Sequence, residues 1–405
     1  MSTTRDIVEQ GSLPVSPVQM PLKWLLGLLQ KSGVSRLEVT DDSGRVHVIG
    51  RQKQDAPVAR VHILRPLALA RASAGGLLGF ADAYIDGDWD SPSLVDVTDW
   101  AMANEAALEG AFSGSWSSRL IHRLMHLLNN NSLRGSRRNI SAHYDLGNDF
   151  YRLWLDRGMT YSSALFSSTD ESLEQAQENK YQKVLDWLDV KHGQKVLEIG
   201  CGWAGFAEAL SRKRKTRYQG ITLSSEQLAY ARERMSGKEG YAFDLTDYRD
   251  LTETYDRLAS IEMIEAVGES HWPRYFGTLR ESLNPGGIAV LQVITIDDTR
   301  FESYRKGADF IQRYIFPGGM LPSHGIMQEQ LKSSGLLLED SYSFGPDYAR
   351  TVDIWHRAFL ERWPQIEKLG FDERFRRMWS YYLAYCESGF MSGSIDVRLY
   401  RIRRP

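Results

Sequence analysis

Residues 196–210, VLEIGCGWAGFAEAL, join an apolar run directly to a helical pattern through three glycines, Gly200, Gly202 and Gly205. Glycine lets the backbone turn sharply and approach a ligand closely, and the helix that follows directs unpaired N–H groups toward the same space. This arrangement is typical of a strand-to-helix turn that holds a nucleotide-like cofactor. The alternative is a tight turn that binds nothing.

The next strand-like segment indicates which cofactor the turn suits. The glycine spacing also satisfies the GxGxxG pattern of dinucleotide sites, in which an acidic residue at the end of the second strand holds a ribose. Here the segment YQGITLS ends near Ser224 without an acidic residue, and Glu226 follows inside the next predicted helix. The sequence therefore favours S-adenosylmethionine, and a nicotinamide-dependent oxidoreductase is the weaker alternative.

Length and composition predict two globular domains and exclude several classes of protein. The chain has 405 residues, 42% of them hydrophobic and 25% charged, and a formal net charge of −3, which does not favour nucleic-acid binding. Two cysteines, Cys201 and Cys386, argue against a disulfide framework or a metal cluster and favour a reducing cytoplasm. The N-terminus has no signal-peptide pattern, and no apolar run is long enough to span a bilayer.

Local patterning divides the chain into three regions. Residues 1–110 show short alternating segments followed by a helical stretch, which predicts a small α+β domain. Residues 111–142, which include NNNSLRGSRRN, predict a helical and basic linker. Residues 143–405 alternate strands with helices and predict a doubly wound α/β domain. Its seven strands are expected near residues 195, 218, 241, 257, 288, 336 and 395.

A long series of motifs gives this second domain a family resemblance. In chain order they include HYDLGNDFYRLWLD, TYSSALF, GITLSSEQ, SIEMIEAVGE, YIFPGGMLPS, FGPDYARTVDIWHRAF and RMWSYYLAYCESGF. Together they resemble the cyclopropane fatty acid synthases, which are class I S-adenosylmethionine-dependent methyltransferases acting on unsaturated acyl chains. The N-terminal segment FADAYIDGDWDSPSL is similar to the extra domain of bacterial enzymes that act on intact phospholipids. The resemblance implies a class I methyltransferase fold with a helical lipid-binding insertion.

The resemblance also assigns the cofactor contacts. Matched residue by residue, it places Tyr161 and Ser162 beside the methionine part of the cofactor, Gly200, Gly202 and Gly205 beneath it, Thr222 and Gln227 near the ribose, and Asp247 and Tyr248 at the adenine. A carboxylate can accept from an exocyclic amine, and an aromatic ring can stack on a purine. Without the resemblance, Thr222 and Tyr248 are equally typical of ordinary strand and core positions.

The implied chemistry is attack of a carbon–carbon double bond on the sulfonium methyl group, which leaves a carbocation that must lose a proton. In the family a bicarbonate ion held by Cys, Glu, His and Tyr is thought to be the base. Glu265 and Tyr348 match that set, whereas Ser163 stands where the family has Cys and Gln292 where it has His. Serine and glutamine still form hydrogen bonds, but neither titrates near neutral pH as histidine does.

These departures bear on the product. Loss of the proton from the transferred methyl carbon closes a cyclopropane ring, whereas loss from a neighbouring chain carbon, or hydride shifts, give a methyl-branched or methylene chain. The sequence leaves both outcomes open. Glu265 is the candidate for anchoring the ion or for acting directly, because an apolar pocket raises a carboxyl pKa. We expect Glu265→Gln to abolish methyl transfer while cofactor binding survives.

The segment 301–323, FESYRKGADFIQRYIFPGGMLPS, predicts how the substrate binds. Its apolar side chains, including Phe310, Tyr314 and Phe316, are expected to line an acyl-chain tunnel, because a long chain binds by burying methylenes worth about 0.8 kcal/mol each. The alternative is ordinary core packing. Basic clusters at residues 212–215 and 398–404 are either solvated faces or contacts for an anionic membrane surface.

The expected partners are therefore a phospholipid and, transiently, the inner membrane surface as met from the cytoplasm, with a homodimer as an expectation of the family alone. Two other functions remain open at this point. One is a methyltransferase acting on a non-lipid small molecule, although the chain has no Asn/Asp-Pro-Pro-Tyr loop of the kind that methylates amino groups. The other is a catalytically silent lipid-binding homologue.

Overall fold

The computed structural model describes residues 19–52, 57–112 and 146–405. Contacts divide the chain into two compact units, residues 1–114 and 115–405. Most of the predicted linker, residues 111–142, lies outside the described residues, so its helical character and the exact domain limits stay predictions.

The first unit combines a small mixed sheet with helices, as the sequence predicts. Its elements are α1 (Gln19–Lys31), β1 (Leu37–Thr40), β2 (Val46–Ile49), β3 (Ala59–Ile63), α2 (Leu67–Ile85), β4 (Trp89–Asp90), α3 (Leu94–Ala103) and α4 (Glu105–Phe112). The strand order is β2-β1-β3-β4, with β1 and β3 parallel and the outer pairs antiparallel. Trp89 is fully buried and stacks on Phe80 with ring centroids 4.2 Å apart, which anchors the sheet to α2.

The second unit contains most of the described chain. Its helices are α5 (Asn148–Arg152), α6 (Leu173–Leu188), α7 (Gly205–Lys213), α8 (Ser225–Arg234), α9 (Trp272–Ser282), α10 (Asp298–Tyr304), α11 (Phe310–Tyr314), α12 (His324–Ser333), α13 (Gly345–Glu367) and α14 (Glu373–Met391). Its strands are β5 (Lys195–Ile199), β6 (Arg217–Thr222), β7 (Tyr241–Leu245), β8 (Tyr255–Ile261), β9 (Leu283–Ile296), β10 (Leu337–Ser343) and β11 (Ile395–Arg403).

These seven strands form one twisted sheet in the order β10-β11-β9-β8-β5-β6-β7. Strands β5 to β9 are parallel, and β11 lies antiparallel between β9 and β10. The central strands read as continuous apolar runs because helices cover both faces, and Val196, Leu197 and Leu258 are fully buried. The predicted doubly wound, seven-stranded α/β fold is confirmed.

The strand order fixes where a ligand site belongs. The chain leaves β5 toward β6 on one side and later returns to β8 on the other, and a crevice opens at such a switch point beyond the carboxyl ends of the strands. The segments that end at this edge carry Gly200 after β5, Thr222 at the end of β6 and Glu262 after β8.

The helical insertion after β9 is also present, as α10 and α11. Asp309 caps α11 through a capping box with Gln312, which explains why a helix begins at Phe310. None of the helices in the described ranges has the length and apolar character needed to cross a bilayer.

Candidate active site

The glycine turn after β5 has the conformation that its sequence predicts. Gly200 and Gly202 both adopt positive φ, +82° and +50°, and the Gly200 N–H donates to the Ile221 carbonyl oxygen of β6 at 3.0 Å. A Cβ on Gly200 would lie 3.1 Å from Met263 Cγ, whereas a Cβ on Gly202 would meet no atom within 4 Å. Gly202 therefore borders open space, beside the N-terminus of α7 and its unpaired N–H groups.

Gly205 has a different structural reason. A Cβ there would lie 2.3 Å from the Tyr181 hydroxyl oxygen on α6, so the missing side chain lets α7 pack closely against α6. Its contact with the cofactor stays a prediction.

The residues predicted at the ribose and adenine follow β6 and β7 at the same sheet edge. Thr222 Oγ1 donates to Gln227 Oε1 at 2.8 Å, and both side chains are buried. Asp247 is buried and ion-paired with Arg249, which donates to it from Nε and Nη2, each at 2.8 Å. Tyr248 packs edge-on against an aromatic ring of α9.

The segment 161–164, before α6, brings the predicted methionine-side residues to the same edge. The Tyr161 hydroxyl lies 2.9 Å from the Tyr382 hydroxyl, and Ser162 Oγ accepts from Lys180 Nζ at 2.8 Å. Lys180 is fully buried; burial lowers its pKa to about 8, while the negative charge of Glu262 and other carboxylates opposes that shift. Sequence reasoning missed this cation, because an amphipathic helix gives no sign of which lysine points inward.

A buried carboxylate, Glu262, lies at the centre of the predicted base site. Its Oε1 accepts from the Ser163 backbone N–H at 2.9 Å and from Gln292 Nε2 at 2.7 Å, and its Oε2 accepts from the Tyr348 hydroxyl at 2.6 Å. The Ser163 hydroxyl donates instead to the Ala164 carbonyl oxygen at 2.9 Å, so the side chain expected to hold an oxyanion turns away. The structure thus brings together three of the four predicted residues around a fifth, unpredicted one.

Glu265, the fourth, lies one turn further on. Its Oε1 accepts from the Ile294 N–H at 2.6 Å, and its buried Oε2 has no hydrogen-bond partner among the described residues. Burial, and then the negative charge of Glu262, raise the pKa of Glu265 to about 8. Burial also raises the pKa of Glu262, but its three donors oppose that shift. Glu265 is therefore largely protonated at neutral pH, whereas the three donors of Glu262 favour its ionised form.

The insertion packs its aromatic side chains toward this centre. Phe310 is buried against α14, and its ring lies 5.3 Å from that of Tyr314. The ring of Phe316 lies 6.5 Å from that of Tyr382, which in turn meets Tyr161. An apolar, aromatic surface thus runs from the insertion to the methionine-side segment, while contact of Phe310, Tyr314 and Phe316 with an acyl chain stays a prediction.

The basic cluster of residues 398–404 is engaged within the protein. Arg401 and Arg403 both pair with Glu339 of the neighbouring strand β10, and Arg398 pairs with Asp396 at 3.0 Å. All three arginines are therefore paired with carboxylates of the same sheet, which favours the interpretation of this cluster as part of a solvated strand surface. Their charges are largely compensated.

Together the site offers an open turn, a helix N-terminus, buried polar groups and a hydrogen-bonded carboxyl group at one sheet edge. These residues fit S-adenosylmethionine, whose sulfonium carries positive charge and whose ribose and adenine carry donors. The family model described as "Mycolic acid cyclopropane synthetase" matches residues 131–400.

The chain belongs to this family. Among its relatives is the tuberculostearic acid methyltransferase UfaA1 of Mycobacterium tuberculosis, 39% identical over 355 residues that cover 84% of this chain and 82% of the relative. The cyclopropane-fatty-acyl-phospholipid synthase of Escherichia coli (strain K12) is 34% identical over 345 residues, covering 85% of this chain and 87% of the relative.

A solved structure of the family confirms the architecture. The mycolic acid cyclopropane synthase CmaA1, in complex with SAH and CTAB, is 31% identical with a TM-score of 0.62, covering 66% of this chain and 98% of that one. The prediction that the chain belongs to this family, and that it is a methyltransferase using S-adenosylmethionine, is confirmed.

Proposed function

We propose that this protein transfers a methyl group from S-adenosylmethionine to the double bond of an unsaturated acyl chain in membrane phospholipid, and that the product is methyl-branched. The observation that carries the proposal is the buried carboxyl group of Glu262, held by three donors at the carboxyl edge of the sheet.

The cofactor, when bound, supplies an electrophilic methyl group on a sulfonium. The chain's own residues position it. Gly202 leaves room for close backbone approach, the Thr222–Gln227 pair presents fixed polar atoms, and Ser162 is held in place by Lys180.

The aromatic residues exclude water and tolerate positive charge. A carbocation on the acyl chain is short-lived in water, and aromatic faces attract cations when desolvated. The rings of Tyr161, Tyr382 and Phe316 lie in sequence between the insertion and the base site. The structure of the relative CmaA1 contains CTAB, a molecule with a long alkyl chain, which is consistent with a family that binds such chains.

The branched product is supported by the relatives. The relative UfaA1, named as a tuberculostearic acid methyltransferase, is a methyl-branching member of the family. It is 39% identical to this chain, compared with 34% for the cyclopropane synthase of Escherichia coli. Ser163 and Gln292 depart from the cyclopropane pattern at the base itself, where the fate of the proton is decided.

A phospholipid substrate requires access to a membrane. We propose transient contact with the inner membrane surface from the cytoplasm, and the paired arginines of β11 do not provide it. Exposed apolar side chains of the first unit are better suited, namely Trp24, which is 62% exposed, with Leu64, Leu67 and Leu77. A homodimer is part of the same proposal, and light scattering would test it.

The test uses purified protein, vesicles containing monounsaturated phospholipid, and S-adenosylmethionine carrying a trideuterated methyl group. Matched vesicles of saturated phospholipid are the control. We expect labelled acyl chains that still react with bromine. The number of deuterium atoms retained, two or three, identifies whether the methyl carbon or a chain carbon lost the proton. Labelled chains that resist bromine would mean that the product is a cyclopropane and not a branched chain. The absence of labelled lipid in every vesicle would refute the proposal.

A further inference from the structure

Glu262 occupies a backbone conformation that side chains rarely adopt. Its φ is +49°, in the left-handed region, where glycine is the residue of low cost. The conformation is held by its own N–H, which donates to the Gln292 carbonyl oxygen at 2.8 Å. Strained residues of this kind persist where the surrounding structure fixes them, and they concentrate at functional sites.

The donors around Glu262 are the ones that the family resemblance assigns to bicarbonate. Ser163 and Gln292 meet one carboxylate oxygen, and Tyr348 meets the other, at 2.6 to 2.9 Å. A bicarbonate ion bound there would lose these donors to the side chain and would face a negative charge of its own sign. Burial leaves little water to screen that repulsion. The residues present therefore do not fit bicarbonate.

We propose that the Glu262 carboxylate replaces the dissolved ion and is itself the proton acceptor of the reaction. This inference rests on the proposed function. The carboxylate carries the same charge and a similar pair of oxygens as bicarbonate, but it is covalently attached to the end of β8.

The surrounding charges suit this role. Lys180, fully buried, favours the ionised form of Glu262, and the hydrogen bond from Tyr348 does the same. Glu265, protonated at neutral pH, adds no second negative charge beside it. Gln292 and Ser163 carry no titratable group. Because glutamine stands where the family has histidine, no histidine at that position can neutralise a negative charge on Glu262.

The π electrons of the substrate double bond form a bond to the methyl carbon, and the S–CH₃ bond breaks with its electron pair left on sulfur. The resulting chain carbocation loses a proton to a carboxylate oxygen of Glu262. The electrons of that C–H bond form either the new double bond of a branched chain or the third bond of a ring. Glu262 returns its proton to solvent as product leaves.

The first test compares turnover in buffers stripped of carbon dioxide with turnover after bicarbonate is added. We expect wild-type rates to be the same in both. Glu262→Gln is expected to lower turnover by about 10²–10⁴-fold, the usual contribution of a general base. Glu262→Gly, which fits the left-handed backbone, should be as slow without bicarbonate and recover as bicarbonate is added. Glu269→Gln is the matched control, since Glu269 lies seven residues on and pairs with Arg305 at the surface.

A second readout does not depend on turnover. Thermal denaturation in rising bicarbonate should stabilise Glu262→Gly and leave the wild-type protein unchanged, and binding of SAH should show that each variant is folded. Wild-type protein that is stabilised or activated by bicarbonate, or Glu262→Gln with wild-type turnover, would overturn the inference. Absence of lipid methylation by the wild-type protein would instead refute the proposed function, and the denaturation result would still decide what occupies the site.

Discussion

Replacing Glu265 by glutamine tests the assignment of protonation states through stability. The pKa of Glu265 is raised from its ordinary value of 4.5 to about 8 in the folded protein. Between these values the folded state binds a proton that the unfolded state has released, so the free energy of unfolding falls as pH rises. The slope is about 1.4 kcal/mol per pH unit, or about 3 kcal/mol between pH 5.5 and 7.5. The Glu265→Gln variant has no group that titrates at this position. Its free energy of unfolding relative to that of wild type should therefore rise by about 3 kcal/mol between pH 5.5 and 7.5.

Thermal or urea denaturation of both proteins at the two pH values measures the difference. Glu367→Gln is the control, because Glu367 is exposed on α13 and its effect should be the same at both pH values. A Glu265→Gln variant that is less stable than wild type, by an amount that does not change with pH, would mean that Glu265 is ionised in the folded protein. The division of roles between the two glutamates would then be wrong.

Four further predictions concern activity, stability and binding. Glu265→Gln should keep turnover within about tenfold of wild type, against the expectation from sequence, because the 10²–10⁴-fold contribution of the base belongs to Glu262. Tyr348→Phe removes a donor to Glu262 and raises its pKa, so the low-pH limb of the rate profile should move to higher pH. Gly200→Ala should destabilise the protein by about 1–3 kcal/mol, through its positive φ and close contact. Gly202→Ala should mainly weaken SAH binding measured by calorimetry, because its side chain enters open space.

The predictions for Glu265, Tyr348 and Gly202 each have their own contrary result. A hundredfold or greater loss of turnover in Glu265→Gln would return the base role to that residue. Tyr342→Phe, at an exposed tyrosine of β10, is the control for the pH profile. An equal shift of the profile in both tyrosine variants would mean that the shift in Tyr348→Phe does not come from its hydrogen bond to Glu262. Unchanged SAH affinity in Gly202→Ala would place the cofactor elsewhere.

The sequence predicts the fold well because the fold depends on local patterns. The run VLEIG before Gly202 and the regular spacing of apolar segments specify seven strands and the turn, and the structure contains both. It predicts the donors Ser163, Gln292 and Tyr348 through the resemblance. The sequence does not predict that these donors bind the carboxyl group of Glu262.

The role of Glu262 could not be predicted from the sequence, for a physical reason. Its role depends on contacts with residues 99, 30 and 86 positions away in the chain. A glutamate that follows a strand is also an ordinary surface residue in most proteins. A signal was nevertheless present, since SIEMIEAVGE carries Glu262 three residues before Glu265, and two predicted donor positions elsewhere in the chain, Ser163 and Gln292, lack the family's titratable side chains.

The position of β11 makes the site depend on a segment that follows all the other strands of its sheet in the chain. Residues 395–403 are inserted between β9 and β10, and Leu399 pairs with Gln292 on one side and Tyr342 on the other. Until that segment has emerged from the ribosome, β9 presents an unpaired edge on which Gln292 lies. Such edges invite association with other chains. A truncation that removes this strand should therefore yield a protein that aggregates in the cell.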